Sequence, residues 1–100
     1  VVVDCRPSSI NFGKWDWEVL SDKNRKMLLI PPGFGCAFYV ISDLSIVNYK
    51  WAYPGEYPDV DDQFSVKWND PDVGVFWPTD TPILSARDAL SLGLNENFKR

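Results

Sequence analysis

The sequence contains no histidine. Histidine is the side chain that most often acts as a general base and most often binds metal ions in proteins. Its absence argues against a histidine-based metal centre in these 100 residues. An acidic cluster, Asp59, Asp61 and Asp62, is the remaining candidate for a cation, but it lacks the further ligands and the glycine of a calcium loop. We therefore expect no metal site and interpret the cluster as a solvated loop.

Cysteine is scarce, and Cys5 and Cys36 do not have a metal-binding spacing. Both lie in apolar stretches, which favours reduced core residues; a single disulfide is the alternative. Long apolar runs are also missing, so we expect no membrane-spanning segment. Because the N-terminus lacks a basic segment followed by an apolar one, we expect no secretory signal and a cytoplasmic protein.

Positive charge is in deficit. The chain has 10 Lys and Arg against 14 Asp and Glu, a net charge of −4. The basic residues are scattered and form no stripe, whereas nucleic-acid-binding domains normally carry a basic patch. We therefore expect no nucleic-acid partner.

Short apolar runs separated by turn residues are what the chain does contain. They predict about six strands at residues 1–6, 17–22, 26–30, 36–42, 45–51 and 64–68. One helix is predicted within residues 85–93, where Ser85 can cap, Asp88 follows three residues later and Gly93 can end the helix. This pattern predicts a single all-β domain over residues 1–100, a sandwich or barrel with one short C-terminal helix.

Two side chains stand out as candidates for chemistry. Tyr49 lies in the middle of a predicted strand, on the same face as Val47 and Trp51. It can deliver a proton into a barrel, or it can simply fill space. Asp88 lies near the start of the predicted helix. Its carboxylate can take part in chemistry, or it can serve only as a structural cap of the helix. Aromatic residues between these two candidates can stack on a sugar or pack in the core: Trp51, Tyr53, Tyr57, Trp68 and Trp77.

The stretches "FGKW", "IPPGF", "YVISD", "NYK", "KWNDPDVGVFWP" and "PILSARD" occur in that order. Together they resemble the C-terminal half of the dTDP-4-dehydrorhamnose 3,5-epimerase family. The resemblance implies a cupin-like jelly-roll barrel that works as a homodimer without metal or cofactor. It also implies that the "IPPGF" turn links two barrel strands near the sugar pocket.

The resemblance implies a reaction and its residues. The substrate class is a dTDP-4-keto-6-deoxy sugar, from which a base removes a proton next to the 4-keto group before an acid returns one to the other face. Tyr49 and Asp88 match catalytic positions, and Asp88 would orient the base. A further tyrosine, Tyr57 or Tyr53, would be the acid; Tyr57 is preferred because Pro58 follows it. The expected substrate contacts are Tyr53, Trp51, Lys50 and Arg87.

The sequence also departs from the family. The family's base histidine, its stabilising lysine and its diphosphate-binding arginines belong to the N-terminal half, which this chain does not match. Cys36 stands where the family often has a histidine in the turn. The chain therefore resembles the second half of a protein about twice as long, and we expect little epimerisation by it alone. The alternative is a non-catalytic cupin-like module that binds a sugar or nucleotide sugar.

Overall fold

The β-branched residues near the N-terminus form the central strand of a small sheet. A computed structural model describes residues 1–56 and 63–98. Strand β1 (Val2–Asp4) lies between β2 (Trp15–Asp16) and β3 (Phe34–Cys36) and is antiparallel to both. Val3 is opposite Trp15 on one side and Gly35 on the other. The strand predicted at residues 1–6 is thus confirmed, because β-branched side chains suit a pleated sheet.

A charged cluster closes the loop that joins β1 to β2. Asp4 is only 2% exposed, and its carboxylate accepts two hydrogen bonds from the Arg6 guanidinium at 2.9 and 2.7 Å and one from Ser9 Oγ at 2.6 Å. The hydrogen bonds from the Arg6 side chain hold the pKa of the Asp4 carboxyl well below its usual range. The buried charge is therefore paired, as a stable fold requires.

The Pro-Pro-Gly turn delivers the chain into β3. Gly33 has a φ of +87°, a conformation that glycine adopts without a steric penalty. Its carbonyl accepts a hydrogen bond of 3.0 Å from Cys5 N–H, and a Cβ at this position would lie 2.5 Å from Arg6 Cγ. The turn therefore fixes β3 beside β1, while residues 26–30 on its other side form no strand.

Two short helices follow in the second half of the chain. Helix α1 (Ala86–Ala89) begins after Ser85, whose side chain caps it as predicted. Helix α2 (Leu94–Phe98) was not predicted. Gly93 does not end the first helix; it precedes the second, and its N–H donates to Glu96 Oε1 at 3.0 Å. The prediction of one helix is therefore wrong, because Gly93 and Glu96 form a cap of their own.

Helix α2 supplies the most buried apolar side chain of the described residues. Leu94 is 1% exposed and lies against Gly13, where an added Cβ would meet Leu94 Cδ2 at 3.5 Å. The Phe98 ring packs edge-on against Phe12 at 6.1 Å and beside Phe64 at 5.5 Å, measured between centroids. These contacts join α2 to the β1–β2 loop and to the segment before the helices.

The cysteines differ in their surroundings. Both are free thiols. Cys5 is buried, as predicted, and burial raises the pKa of its thiol, so that it stays protonated near neutral pH. Cys36 is exposed, so its prediction as a core residue is wrong.

Most of the predicted strands are not formed. The structure has no strand over residues 17–22, 26–30 and 38–51, and the 64–68 segment forms only a bridge between Val66 and Leu92. Every described residue from 36 to 56 is exposed. A strand requires a neighbouring strand to bond its backbone, and an apolar run without such a neighbour does not become one. The fold is a three-stranded antiparallel sheet with two short helices in the described ranges.

Within residues 1–56 and 63–98, no helix combines the length and the apolar character needed to cross a membrane.

Candidate active site

The first turn of α1 has a defined local geometry. Ser85 has extended backbone angles, and its Oγ accepts a hydrogen bond of 3.1 Å from Asp88 N–H. This is the usual helix N-cap, in which a short polar side chain satisfies a backbone donor of the first turn. The Asp88 side chain is exposed. The carboxylate is thus held on a capped turn and remains accessible to another group.

Helix α1 is attached to the segment at residues 63–66. Arg87 donates long hydrogen bonds of 3.4 and 3.5 Å to the carbonyls of Gln63 and Phe64. Ser91 Oγ lies 2.8 Å from Ser65 Oγ and 3.0 Å from the Arg87 carbonyl. These bonds orient the helix that carries Asp88.

Asn97 reinforces the same attachment from α2. Its Nδ2 lies within 2.9, 3.4 and 3.2 Å of the carbonyls of Ser65, Leu92 and Gly93. One amide therefore ties three backbone positions together. Sequence reasoning missed Asn97, Ser65 and Ser91, since their roles depend on contacts between residues 26 to 32 positions apart.

The predicted aromatic part of the site lies in an irregular segment. Tyr49 is 53% exposed, Trp51 is 65% exposed, and Tyr53 and Lys50 are exposed as well. The predicted strand, and with it the shared face of Tyr49, Val47 and Trp51, is absent here. Tyrosine and tryptophan carry a polar group on an apolar ring, so accessible rings of this kind can contact a sugar.

Part of the prediction falls outside the described residues. Tyr57 and the acidic cluster Asp59, Asp61 and Asp62 lie in the range 57–62. Among residues 1–56 and 63–98, the structure holds no group of three or more metal-ligating side chains.

Asp70 is a buried carboxylate that sequence reasoning did not single out. It is 4% exposed. Its Oδ2 accepts from Leu94 N–H at 2.6 Å, and its Oδ1 accepts from Asp72 N–H at 2.9 Å. Both oxygens are engaged by backbone donors, so Asp70 ties its own turn to the start of α2. The "NDPDVG" turn was a sequence signal for it, because Asp commonly bonds the backbone two residues on.

Comparison with known proteins identifies the family. The family model for dTDP-4-dehydrorhamnose 3,5-epimerase matches residues 1–96. The enzyme of that name from Methanothermobacter thermautotrophicus is 40% identical over 97% of this chain and 52% of its own length. Its namesake from Escherichia coli K12 is 38% identical over 96% of this chain and 51% of its own length.

A relative from Streptomyces niveus is named dTDP-4-dehydrorhamnose 3-epimerase; it is 38% identical over 96% of this chain and 45% of its own length. The chain spans about half the length of these curated relatives. Since the family model covers nearly all of its residues, the chain belongs to the dTDP-4-dehydrorhamnose 3,5-epimerase family.

Proposed function

We propose that this chain forms part of a nucleotide-sugar epimerase of deoxysugar (dTDP-rhamnose) biosynthesis. The proposed substrate is a dTDP-4-keto-6-deoxy sugar, and the reaction removes and returns protons at C3 and C5. The keto group at C4 acidifies these protons because it spreads the negative charge of the carbanion onto its oxygen. The family match over residues 1–96 carries the proposal.

The proposed catalytic roles fall to Asp88, Tyr49 and a second tyrosine. Asp88 would orient a base contributed from outside these residues, since the chain has no histidine. Tyr49 would face the substrate, and Tyr57 or Tyr53 would return the proton on the opposite face. The accessible Asp88 carboxylate on its capped turn supports this assignment.

Four residues are proposed to contact the substrate. Lys50, Trp51 and Tyr53 adjoin Tyr49 and are exposed, which suits binding of a sugar and its charged diphosphate. Arg87 adjoins Asp88 and is exposed, and a guanidinium is well suited to binding a phosphate oxygen.

We further propose that the assembled enzyme is a single jelly-roll domain, that it is a homodimer and that it acts in the cytoplasm. The three-stranded sheet is compatible with part of such a barrel. The two free thiols suit a reducing compartment.

A non-catalytic binding module is the second candidate, favoured by the lack of histidine. The test joins this chain to the half of the Methanothermobacter thermautotrophicus relative that it does not match, called the complementing half below. Proton NMR then follows the 4-keto sugar with the joined protein. Epimerised product supports the enzyme, whereas saturable binding without product supports the binding module.

A further inference from the structure

Helix α1 is too short to hold its own position in the fold. It has 4 residues, and an isolated helix of fewer than about 12 residues is marginal in water. The Ser85 cap satisfies a backbone donor within the same turn, so it fixes the shape of that turn but not its place. The position of the Asp88 carboxylate therefore depends on the contacts between α1 and the segment at residues 63–66.

One of these contacts is a pair of serine hydroxyls, Ser65 and Ser91, called the hydroxyl tether below. The two Oγ atoms are 2.8 Å apart, and Ser91 Oγ lies 3.0 Å from the Arg87 carbonyl oxygen. Because a hydroxyl carries one proton, Ser91 bonds both groups at once when the Ser65 hydroxyl donates to it. The Arg87 side chain reaches the same segment only at 3.4 and 3.5 Å, beyond the usual hydrogen-bond range. The hydroxyl tether is therefore the closer link.

The Ser65 end of the hydroxyl tether is itself fixed. The Asn97 side chain donates a hydrogen bond of 2.9 Å to the Ser65 carbonyl. Val66 and Leu92, which directly follow the two serines in the chain, form a parallel β-bridge. Both serines are partly buried, which strengthens their bond relative to one in water. The hydroxyl tether thus holds the end of α1 to a part of the backbone that is fixed by other bonds.

We propose that Ser91 and Ser65 are positioning residues for the epimerisation and that they act through Asp88. The inference rests on the proposed function, in which the Asp88 carboxylate orients the base. A short Asp side chain moves with its backbone, and a misplacement of about 1 Å in an active site can reduce the rate roughly a hundredfold. The longer Arg87 side chain has more rotamers with which to follow the same shift. Loss of the hydroxyl tether should therefore reduce turnover more than substrate binding.

The test is a double-variant cycle in the joined protein. Ser91→Ala should lower kcat at least fivefold and change KM less than twofold, and Ser91→Thr, which keeps a hydroxyl, should retain more than half of the original kcat. When Asp88 is already asparagine, Ser91→Ala should lower kcat less than twofold, because no carboxylate remains to be positioned. Ser21→Ala is the matched control: it removes an acceptor of a 3.0 Å bond from Asn24 N–H in an exposed turn and should leave kcat unchanged.

Ser65→Ala provides the second arm of the test. It removes the other partner of the same hydrogen bond, so it should lower kcat as well. The double variant Ser65→Ala/Ser91→Ala should be no more than about twofold slower than the slower single variant, because one bond is lost in each case. Effects on kcat that multiply would overturn the coupling of the two hydroxyls. An equal loss of kcat with and without the Asp88 carboxylate would overturn the proposal, since it would mark a purely structural role.

Amide hydrogen exchange separates this inference from the proposed function. The N–H groups of Ala89 and Leu90 bond carbonyls at the start of α1, and Ser91→Ala should speed their exchange at least fivefold in the joined protein, with or without turnover. Faster exchange in a protein that shows no turnover would refute the proposed function and support the hydroxyl tether. Unchanged exchange, or turnover that is present and unaffected by Ser91→Ala, would overturn the positioning role.

Discussion

The Asp70 carboxylate and the Leu94 backbone N–H are joined by a hydrogen bond of 2.6 Å, and both residues are almost fully buried. The bond connects the 67–74 turn to α2. The same turn is closed by bonds from the N–H groups of Val73 and Gly74 to the Asp70 carbonyl. Asp70 therefore sets the position of α2, whose Asn97 in turn holds the segment to which α1 is attached.

Replacing Asp70 by alanine should lower the free energy of unfolding by about 1–3 kcal/mol, because the Leu94 N–H would be buried without an acceptor. Asp70→Asn keeps one carbonyl oxygen and should cost less. Urea denaturation of the two variants measures the difference. Asp72→Ala is the control, since Asp72 is exposed and its side chain accepts a hydrogen bond from the exposed Asn95. If alanine at 70 and 72 were equally tolerated, the role of Asp70 would be refuted.

Gly33→Ala should destabilise the chain more than Gly74→Ala. Both glycines have positive φ, +87° and +73°, so both variants carry a similar backbone penalty of about 1–2 kcal/mol. Only at Gly33 would the new Cβ collide with another side chain, 2.5 Å from Arg6 Cγ. Because the Asp4 pair fixes Arg6, the collision should add about 1–3 kcal/mol. Thermal unfolding of both variants measures this difference, and equal costs would contradict it.

The Asp4–Arg6 pair predicts a specific dependence of stability on pH. The folded-state pKa of Asp4 is lowered, chiefly by hydrogen bonds from Arg6, whereas the unfolded value is about 3.9. The stabilisation of the fold by ionised Asp4 is therefore fully present above about pH 5. It is lost as the pH falls below the pKa of Asp4 in the unfolded chain and approaches its pKa in the folded chain. Unfolding of the chain and of Asp4→Asn, measured between pH 7 and 2.5, should show a difference that shrinks below about pH 4. A constant difference would contradict the lowered pKa.

Asp88→Asn and Tyr49→Phe should each reduce turnover by at least tenfold in the joined protein, while its unfolding midpoint stays within error. The Asp88 backbone N–H still bonds Ser85 in the first variant, so the helix cap is kept and only the carboxylate is lost. Steady-state kinetics measures the turnover of each variant, and thermal unfolding measures its midpoint. Ile10→Asp serves as the surface control. Turnover unchanged by Tyr49→Phe would remove Tyr49 from the proposed site.

Local signals in the sequence predicted some elements well. The Ser85 cap depends on residues three positions apart, and β1 on a run of valines, so both could be anticipated. The second helix was missed although its Gly93–Glu96 cap is a local signal; the bond that holds Leu94 N–H, in contrast, comes from Asp70, 24 residues away. The residues at 26–30 and 45–51 favour an extended strand, which is why strands were predicted there. Such residues form a strand only when a neighbouring strand bonds their backbone. Around Asp88, the sequence allowed only the Ser85 cap to be predicted. The Ser91–Ser65 hydrogen bond could not be predicted, because it also joins residues that are far apart in the sequence.

The central claim is that these residues belong to an epimerase site whose base comes from outside them. Deuterium uptake from D₂O into a dTDP-4-keto-6-deoxy sugar, followed by mass spectrometry, tests it most directly. The chain alone should give no uptake above the enzyme-free rate, and the chain joined to the complementing half should give uptake at C3 or C5 that Asp88→Asn reduces. Uptake catalysed by the 100-residue chain alone would contradict the account, because it would require a base among these residues.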